Sequence, residues 1–139
     1  MRLSPFGQYG GICDSNPLRL FTSIVQELNE RKMAYLHLIE GRGSEIGLSD
    51  ALHAETLNNA RLFKPHFHGA LISAGAFTPR TASDTVQEKS ADAVAFGRLF
   101  IANPDLVRRF RENLPLSEST PETYYQGGPQ GYVDYPTAA

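Results

Sequence analysis

Ala91-Asp92-Ala93-Val94-Ala95-Phe96-Gly97-Arg98 decides how the rest of the 139-residue chain is read. Small and β-branched apolar residues run up to Gly97 and stop. An arginine follows at once, and Asn103-Pro104-Asp105 then carries the signature of a helix start. The pattern predicts a buried strand that delivers a glycine and a cation to its C-terminal end, beside a helix N-terminus. α/β folds bind phosphates in such places. The glycine allows close approach, helix amides point at the anion, and arginine supplies a forked donor pair. The competing reading is a strand that ends in a solvated arginine, and these residues alone leave both open.

Working outward, the chain repeats the same plan. Gly69-Ala70-Leu71-Ile72-Ser73-Ala74-Gly75 is a strand that also ends in glycine, and Thr78-Pro79 then caps a helix to about Lys89. Met33 to Glu40 is almost continuously apolar, as a strand buried on both faces is. His37 interrupts it and reads as a satisfied core histidine. Asp14-Ser15-Asn16-Pro17 opens a helix to about Glu30, with Leu20, Phe21, Ile24, Val25 and Leu28 at helical spacing. Met1 to Phe6 has strand character until Pro5, and reads as a strand that begins before the chain does. Gly41-Arg42-Gly43-Ser44 is a turn, and Leu48 to Lys64 is hard to read beyond a helix over Ala54 to Phe63. His66 and His68 share one face of an extended segment, without a third ligand at a convincing spacing, so no metal site is expected. A helix from Asn103-Pro104-Asp105 to about Arg111 follows the organising stretch, and Arg108-Arg109-Phe110-Arg111 reads as its solvated face. The tyrosines and glycines from Tyr124 to Pro136 fit no regular period. Their aromatic density predicts an ordered loop that packs on something.

Composition narrows the function classes. Apolar content of 41%, charged content of 20% and a net charge of −2 suit a soluble globular chain, and favour neither nucleic acid nor an anionic membrane as partner. Cys13 is the single cysteine, so no internal disulfide is expected. No apolar run approaches the roughly 20 residues of a spanning helix, and the N-terminus lacks the pattern of a signal peptide. The expected location is cytoplasmic.

The alternation of strands and helices predicts parallel strands with right-handed crossovers. An open doubly wound sheet and part of a β/α barrel both fit. Either places ligands at the C-terminal ends of the strands, where Arg2, Glu40 or Arg42, Gly75 and Gly97-Arg98 are expected.

Arg2-Leu3-Ser4-Pro5-Phe6-Gly7, Asp14-Ser15-Asn16-Pro17, Tyr35-Leu36-His37-Leu38-Ile39-Glu40, Ala74-Gly75-Ala76-Phe77-Thr78, Ala95-Phe96-Gly97-Arg98 and Ile101-Ala102-Asn103-Pro104-Asp105-Leu106 stand in the order found in the old yellow enzymes. So does Gly131-Tyr132-Val133-Asp134-Tyr135-Pro136. The sequence resembles that family over almost its whole length, least from Gly41 to Leu62. The resemblance implies a partial (β/α)8 barrel: residues 1–139 form the C-terminal half of an FMN-binding barrel domain, carrying its last four β/α units. It also implies an FMN-dependent oxidoreductase that takes hydride from NADPH or NADH and reduces the activated C=C bond of an enone-type or nitro substrate.

Residue by residue, the resemblance assigns Gly75, Ala76, Gly97 and Arg98 to the FMN phosphate. Arg2 falls beside the flavin pyrimidine ring, Tyr124 at the dimethylbenzene edge, and Tyr125 at the substrate entrance. The family's substrate-anchoring histidine pair and proton-donating tyrosine fall outside these motifs, so no catalytic residue is assigned, and His37, His53, His66 and His68 do not match that role. Half a barrel also implies open sheet edges and an uncovered inner face. Three functions follow: part of an ene-reductase, a non-catalytic fragment keeping a flavin-phosphate site, or a half barrel that self-associates or pairs with a missing N-terminal half.

Overall fold

A computed structural model describes residues 1–7, 11, 13–40, 58–125 and 128–139. The chain divides into two compact units, Met1–Ala95 and Phe96–Ala139.

The first unit is built on a four-stranded parallel sheet in the order β1-β2-β3-β4. Its strands are β1 (Arg2–Leu3), β2 (Tyr35–Ile39), β3 (Ala70–Ala74) and β4 (Ala93–Ala95), each next to its sequence neighbour. Helices α1 (Pro17–Glu30), α2 (Asn59–Phe63) and α3 (Pro79–Gln87) fall between successive strands, as parallel pairing requires. The expected β/α alternation is therefore present. The part of the expected second helix from Ala54 to residue 57 lies outside the described residues. Helix α1 starts where Asn16 accepts the amide of Arg19 at 3.1 Å and Pro17 takes the first turn, and α3 starts at a capping box of Thr78 and Thr81.

The alternation of side chains along each strand divides the sheet into two faces. Leu36, Leu38, Leu71 and Ser73 are fully buried on the helix side. There the three leucines join Val25 and Leu28 of α1, Ala60 and Phe63 of α2, and Phe67. Leu3 packs against the same cluster, which places Arg2 on the opposite face with His37, Ile39, Ile72 and Ala74. Phe63 is the largest anchor of the core, fully buried and stacked on Phe6 with ring centroids 6.5 Å apart. At the N-terminal end of the sheet, Asp92 accepts from Lys64 Nζ at 2.6 Å and from the Leu71 amide at 2.7 Å. Those two bonds, the lysine's first, hold its carboxyl below the usual carboxylate range.

In the second unit, α4 (Arg98–Ala102) and α5 (Leu106–Glu112) are held by buried polar side chains. Two expectations are corrected here. A helix begins at Arg98 itself, so the organising stretch passes directly from strand through Gly97 into helix α4. Arg109, read as part of a solvated face, is only 5% exposed. Its Nε donates to Asp105 Oδ1 at 2.7 Å, Nη1 to the Pro115 carbonyl at 2.6 Å and Nη2 to the Pro136 carbonyl at 2.9 Å. Asp105 lies four residues before Arg109, on the same helical face, and those acceptors repay the desolvation of the guanidinium. Asp105 is thus engaged with Arg109 and the Ala138 amide, and its side chain does not cap α5. Asn103 is fully buried and bonds both the carbonyl and the amide of Ser117, at 3.0 and 2.8 Å. The tyrosine-rich tail packs as expected in part: the Tyr135 hydroxyl accepts the Thr120 amide at 3.2 Å, while Tyr132 and Val133 stay exposed. No helix among the described residues is long and apolar enough to cross a membrane.

Phe63→Ala removes a ring that this core cannot refill. The expected loss is about 3–5 kcal/mol in urea unfolding, whereas a loss below ~1 kcal/mol would contradict the placement of Phe63 at the centre of the core.

Candidate flavin site

The C-terminal end of β3 has an unusual backbone. Gly75 adopts φ +124° and Ala76 φ +47°, so both residues after the strand lie at positive φ. For alanine, the left-handed region costs roughly 1–2 kcal/mol. Such strain persists only where the surroundings impose it, and clusters at ligand sites. A Cβ on Gly75 would lie 3.3 Å from both the Cβ and the carbonyl oxygen of Glu40, so the chain there admits only glycine without displacement. Gly75 and Ala76 thus present backbone, rather than side chain, at the end of the sheet.

Glu40 lies directly after β2 and is 1% exposed. Its amide donates to the Ala74 carbonyl at 2.7 Å, extending the β2–β3 pairing beyond the last strand residue. Its carboxylate accepts the amide of Asn59 at 2.6 Å, the amide of Ala60 at 3.1 Å and the hydroxyl of Ser73 at 2.5 Å. These donors include two amides from the first turn of α2, which have no partner within the helix. Asn59 adds a side-chain bond to the Ile39 carbonyl at 2.6 Å. The sequence shows Glu40 only as a strand-end residue. Nothing in it pairs Glu40 with Ser73 and Asn59, which lie 33 and 19 residues away.

Arg2 is not level with this edge. It pairs in register with His37, whereas Ile39 pairs with Ala74 just before the turn. Arg2 and His37 therefore share a face and a level of the sheet, one residue pair below Leu3 and Leu38. Among the described residues His37 is not the satisfied core histidine expected from the sequence: its Nε2 is buried and finds no hydrogen-bond partner there. Burial lowers its pKa, and the positive charges of Arg2 and the N-terminal amine lower it further.

The other predicted residues belong to the second unit. Gly97 is exposed, with nothing within 4 Å of where a Cβ would stand, and Arg98 is half-buried in the first turn of α4. Tyr124 and Tyr125 pack edge to face, with centroids 6.3 Å apart and planes at 90°. The hydroxyl of Tyr124 bonds Ser119 Oγ at 2.5 Å, which fixes one ring, while Tyr125 is 87% exposed. The structure groups Gly75 with Ala76, Arg2 with His37, and Tyr124 with Tyr125.

His66 ends a 3-10 turn (Lys64–His66), so His66 and His68 do not share an extended strand. Asn29 holds His68 instead, accepting its amide at 2.8 Å. Both histidines border a cleft of about 210 Å³ with Gln26, Asn29, Glu30 and Pro65, and no predicted flavin residue lines it. Among the described residues, no three His, Cys, Asp or Glu side chains converge as a metal site would require.

The parallel β/α sheet, with a glycine-bearing turn after β3 and a Gly-Arg pair after β4, is of the α/β class that binds ligands at its strand ends. The family model of the NADH:flavin oxidoreductase / NADH oxidase family matches residues 1–117, and the chain belongs to that family. It is 38% identical to 12-oxophytodienoate reductase 2 of Arabidopsis thaliana over 138 residues, covering 99% of this chain and 36% of that protein. Morphinone reductase superposes with a TM-score of 0.86 at 37% identity, over 99% of this chain and 35% of its own. The old yellow enzyme homologue of Zymomonas mobilis gives 0.86 at 34% identity, over 99% of this chain and 38% of its own. The fold is thus α/β and corresponds to part of a barrel of the old yellow enzyme type. The chain spans little more than a third of the relatives it matches.

His37 supplies a pH test of the Arg2 pairing. Its folded-state pKa lies below the unfolded value of 6.5. Its contribution to stability is therefore fully present above the unfolded value, and is lost as pH falls through 6.5 toward the folded value. Ring-resolved NMR titration should give a midpoint below 6.5 that rises in Arg2→Gln. A midpoint unmoved by that substitution would show that the two side chains do not interact.

Proposed function

We infer that this chain supplies the phosphate-binding and flavin-edge part of an FMN-dependent oxidoreductase. The whole protein reduces the activated C=C bond of an enone-type or nitro substrate at the expense of NADPH or NADH. The observation that carries the inference is the Gly75-Ala76 turn, a strained stretch of backbone at a strand end, in a chain of flavin oxidoreductase lineage. A structure of morphinone reductase in complex with tetrahydroNAD supports a nicotinamide as the hydride source.

FMN, when bound, supplies a centre that accepts hydride from the nicotinamide and passes it to the β-carbon of the alkene. The residues of this chain bind and orient. Gly75 and Ala76 would offer close backbone approach to the phosphate, and Gly97, with no side chain, would leave room for an anion. Arg98 adds a fixed charge and a forked donor set suited to phosphate oxygens. Arg2 would place a cation beside the pyrimidine ring, favouring negative charge there. Tyr124 packs at the dimethylbenzene edge, and Tyr125 lines the way in for a flat, conjugated substrate. The four-stranded sheet, in a chain that spans little more than a third of its relatives, further suggests that substrate reduction needs the remainder of a barrel, contributed by a longer chain or by another copy.

The test is direct. The purified chain should take up FMN and turn yellow, and Arg98→Ala should weaken FMN binding about ten- to a hundredfold, the worth of a charge-assisted phosphate contact. Unchanged affinity would contradict the assignment of Arg98. NADPH oxidation dependent on 2-cyclohexenone, in whatever assembly completes the barrel, tests the reaction. Flavin binding without such turnover favours a flavin-binding role alone.

A further inference from the structure

We propose that Glu40 is a positioning residue for the phosphate grip, setting the backbone of Gly75 and Ala76 through Ser73 and through direct packing. The proposal rests on the FMN reading above and adds to it the device that builds one side of the site.

Several observations converge on Glu40. It is buried, and among the described residues no cation pairs with it. A buried carboxyl group is costly to desolvate, and the hydrogen bonds that satisfy it organise the elements that supply them. Here those bonds tie three elements together. The Asn59 and Ala60 amides fix the start of α2, the Ser73 hydroxyl fixes β3 one residue before its end, and the Glu40 amide fixes the Ala74 carbonyl. The next residue in β3's path is Gly75, whose missing Cβ would press on Glu40 at 3.3 Å. Both residues before the left-handed turn are thus bonded to Glu40, and the turn itself lies against it. Gly75 at φ +124° is open to glycine, but Ala76 at φ +47° holds a conformation that a non-glycine residue seldom adopts. The clasp supplies the surrounding constraint that such backbone needs.

The substitutions that probe this clasp are mild. Glu40→Gln keeps the shape but has a single acceptor oxygen where the carboxylate has two. Either the Asn59 amide, or the Ala60 amide together with the Ser73 hydroxyl, then meets an NH2 group instead. Ser73→Ala removes only the hydroxyl bond and leaves Glu40 bound to α2.

The readout is the preference for FMN over riboflavin, which differ by the phosphate, measured by flavin fluorescence titration of the full chain. The wild-type chain should prefer FMN. Both variants should lose that preference about tenfold, with riboflavin affinity nearly unchanged. Equal weakening of both flavins would overturn the proposal, because general destabilisation makes no distinction between them. An unchanged preference in folded variants would overturn it too. Should Glu40→Gln fail to fold, Ser73→Ala carries the test alone. A wild-type chain without preference for FMN would instead overturn the phosphate reading itself, before any variant is compared.

Discussion

The pairing of β2 with β3 is the constraint on which the candidate site depends. The two strands run parallel from Tyr35 opposite Ala70 to Ile39 opposite Ala74. A slip of one residue would turn Leu36, Leu38 and Leu71 away from the helices and expose their side chains, so burial fixes the register strongly. The same register brings Glu40 level with the end of β3. Packing on one face of the sheet thereby determines which backbone atoms stand at its edge. The parallel arrangement sends both strand ends the same way, and loops at that end carry ligand sites in folds of this kind.

The two faces have different tasks. The helix-covered face holds the apolar core and gives the first unit its stability. The other face carries Arg2 and His37 in register, with Ile72 beside His37 on β3. On that face burial, together with the charges of Arg2 and the N-terminal amine, holds the His37 pKa below its ordinary value. In the second unit, buried Arg109 and Asn103 do what an apolar core does elsewhere, joining helix α5 and the segment after it to the tail. That unit contains few large buried apolar side chains, and its directional polar bonds specify a single arrangement of irregular chain.

Much of this was legible in the sequence. Helix α1 has the predicted limits because its polar cap, proline and apolar spacing all agree, and the strands fall within the predicted apolar runs. The family was legible from ordered motifs. The polar hubs were not: Glu40 with Ser73, and Arg109 with the Pro136 carbonyl, are long-range contacts between residue types that are usually solvated. Only the Asp105–Arg109 spacing left a local trace, because it is the spacing of a helical ion pair. His37 misled in the opposite direction. An apolar run implies a satisfied interior, but the residue lies on the sheet face opposite Leu36 and Leu38, its Nε2 buried without a partner among the described residues. The helix at Arg98 was hidden because the signature at Asn103-Pro104-Asp105 is the stronger local signal, and Gly97 caps α4 without a side chain.

The proposed contact between the FMN phosphate and the backbone at Gly75 and Ala76 is tested most directly by amide-resolved NMR of the labelled chain, titrated in parallel with FMN and with riboflavin. The amides of Gly75 and Ala76 should shift with FMN and stay in place with riboflavin. Amides that stay in place with FMN, or that shift equally with both flavins, would contradict it.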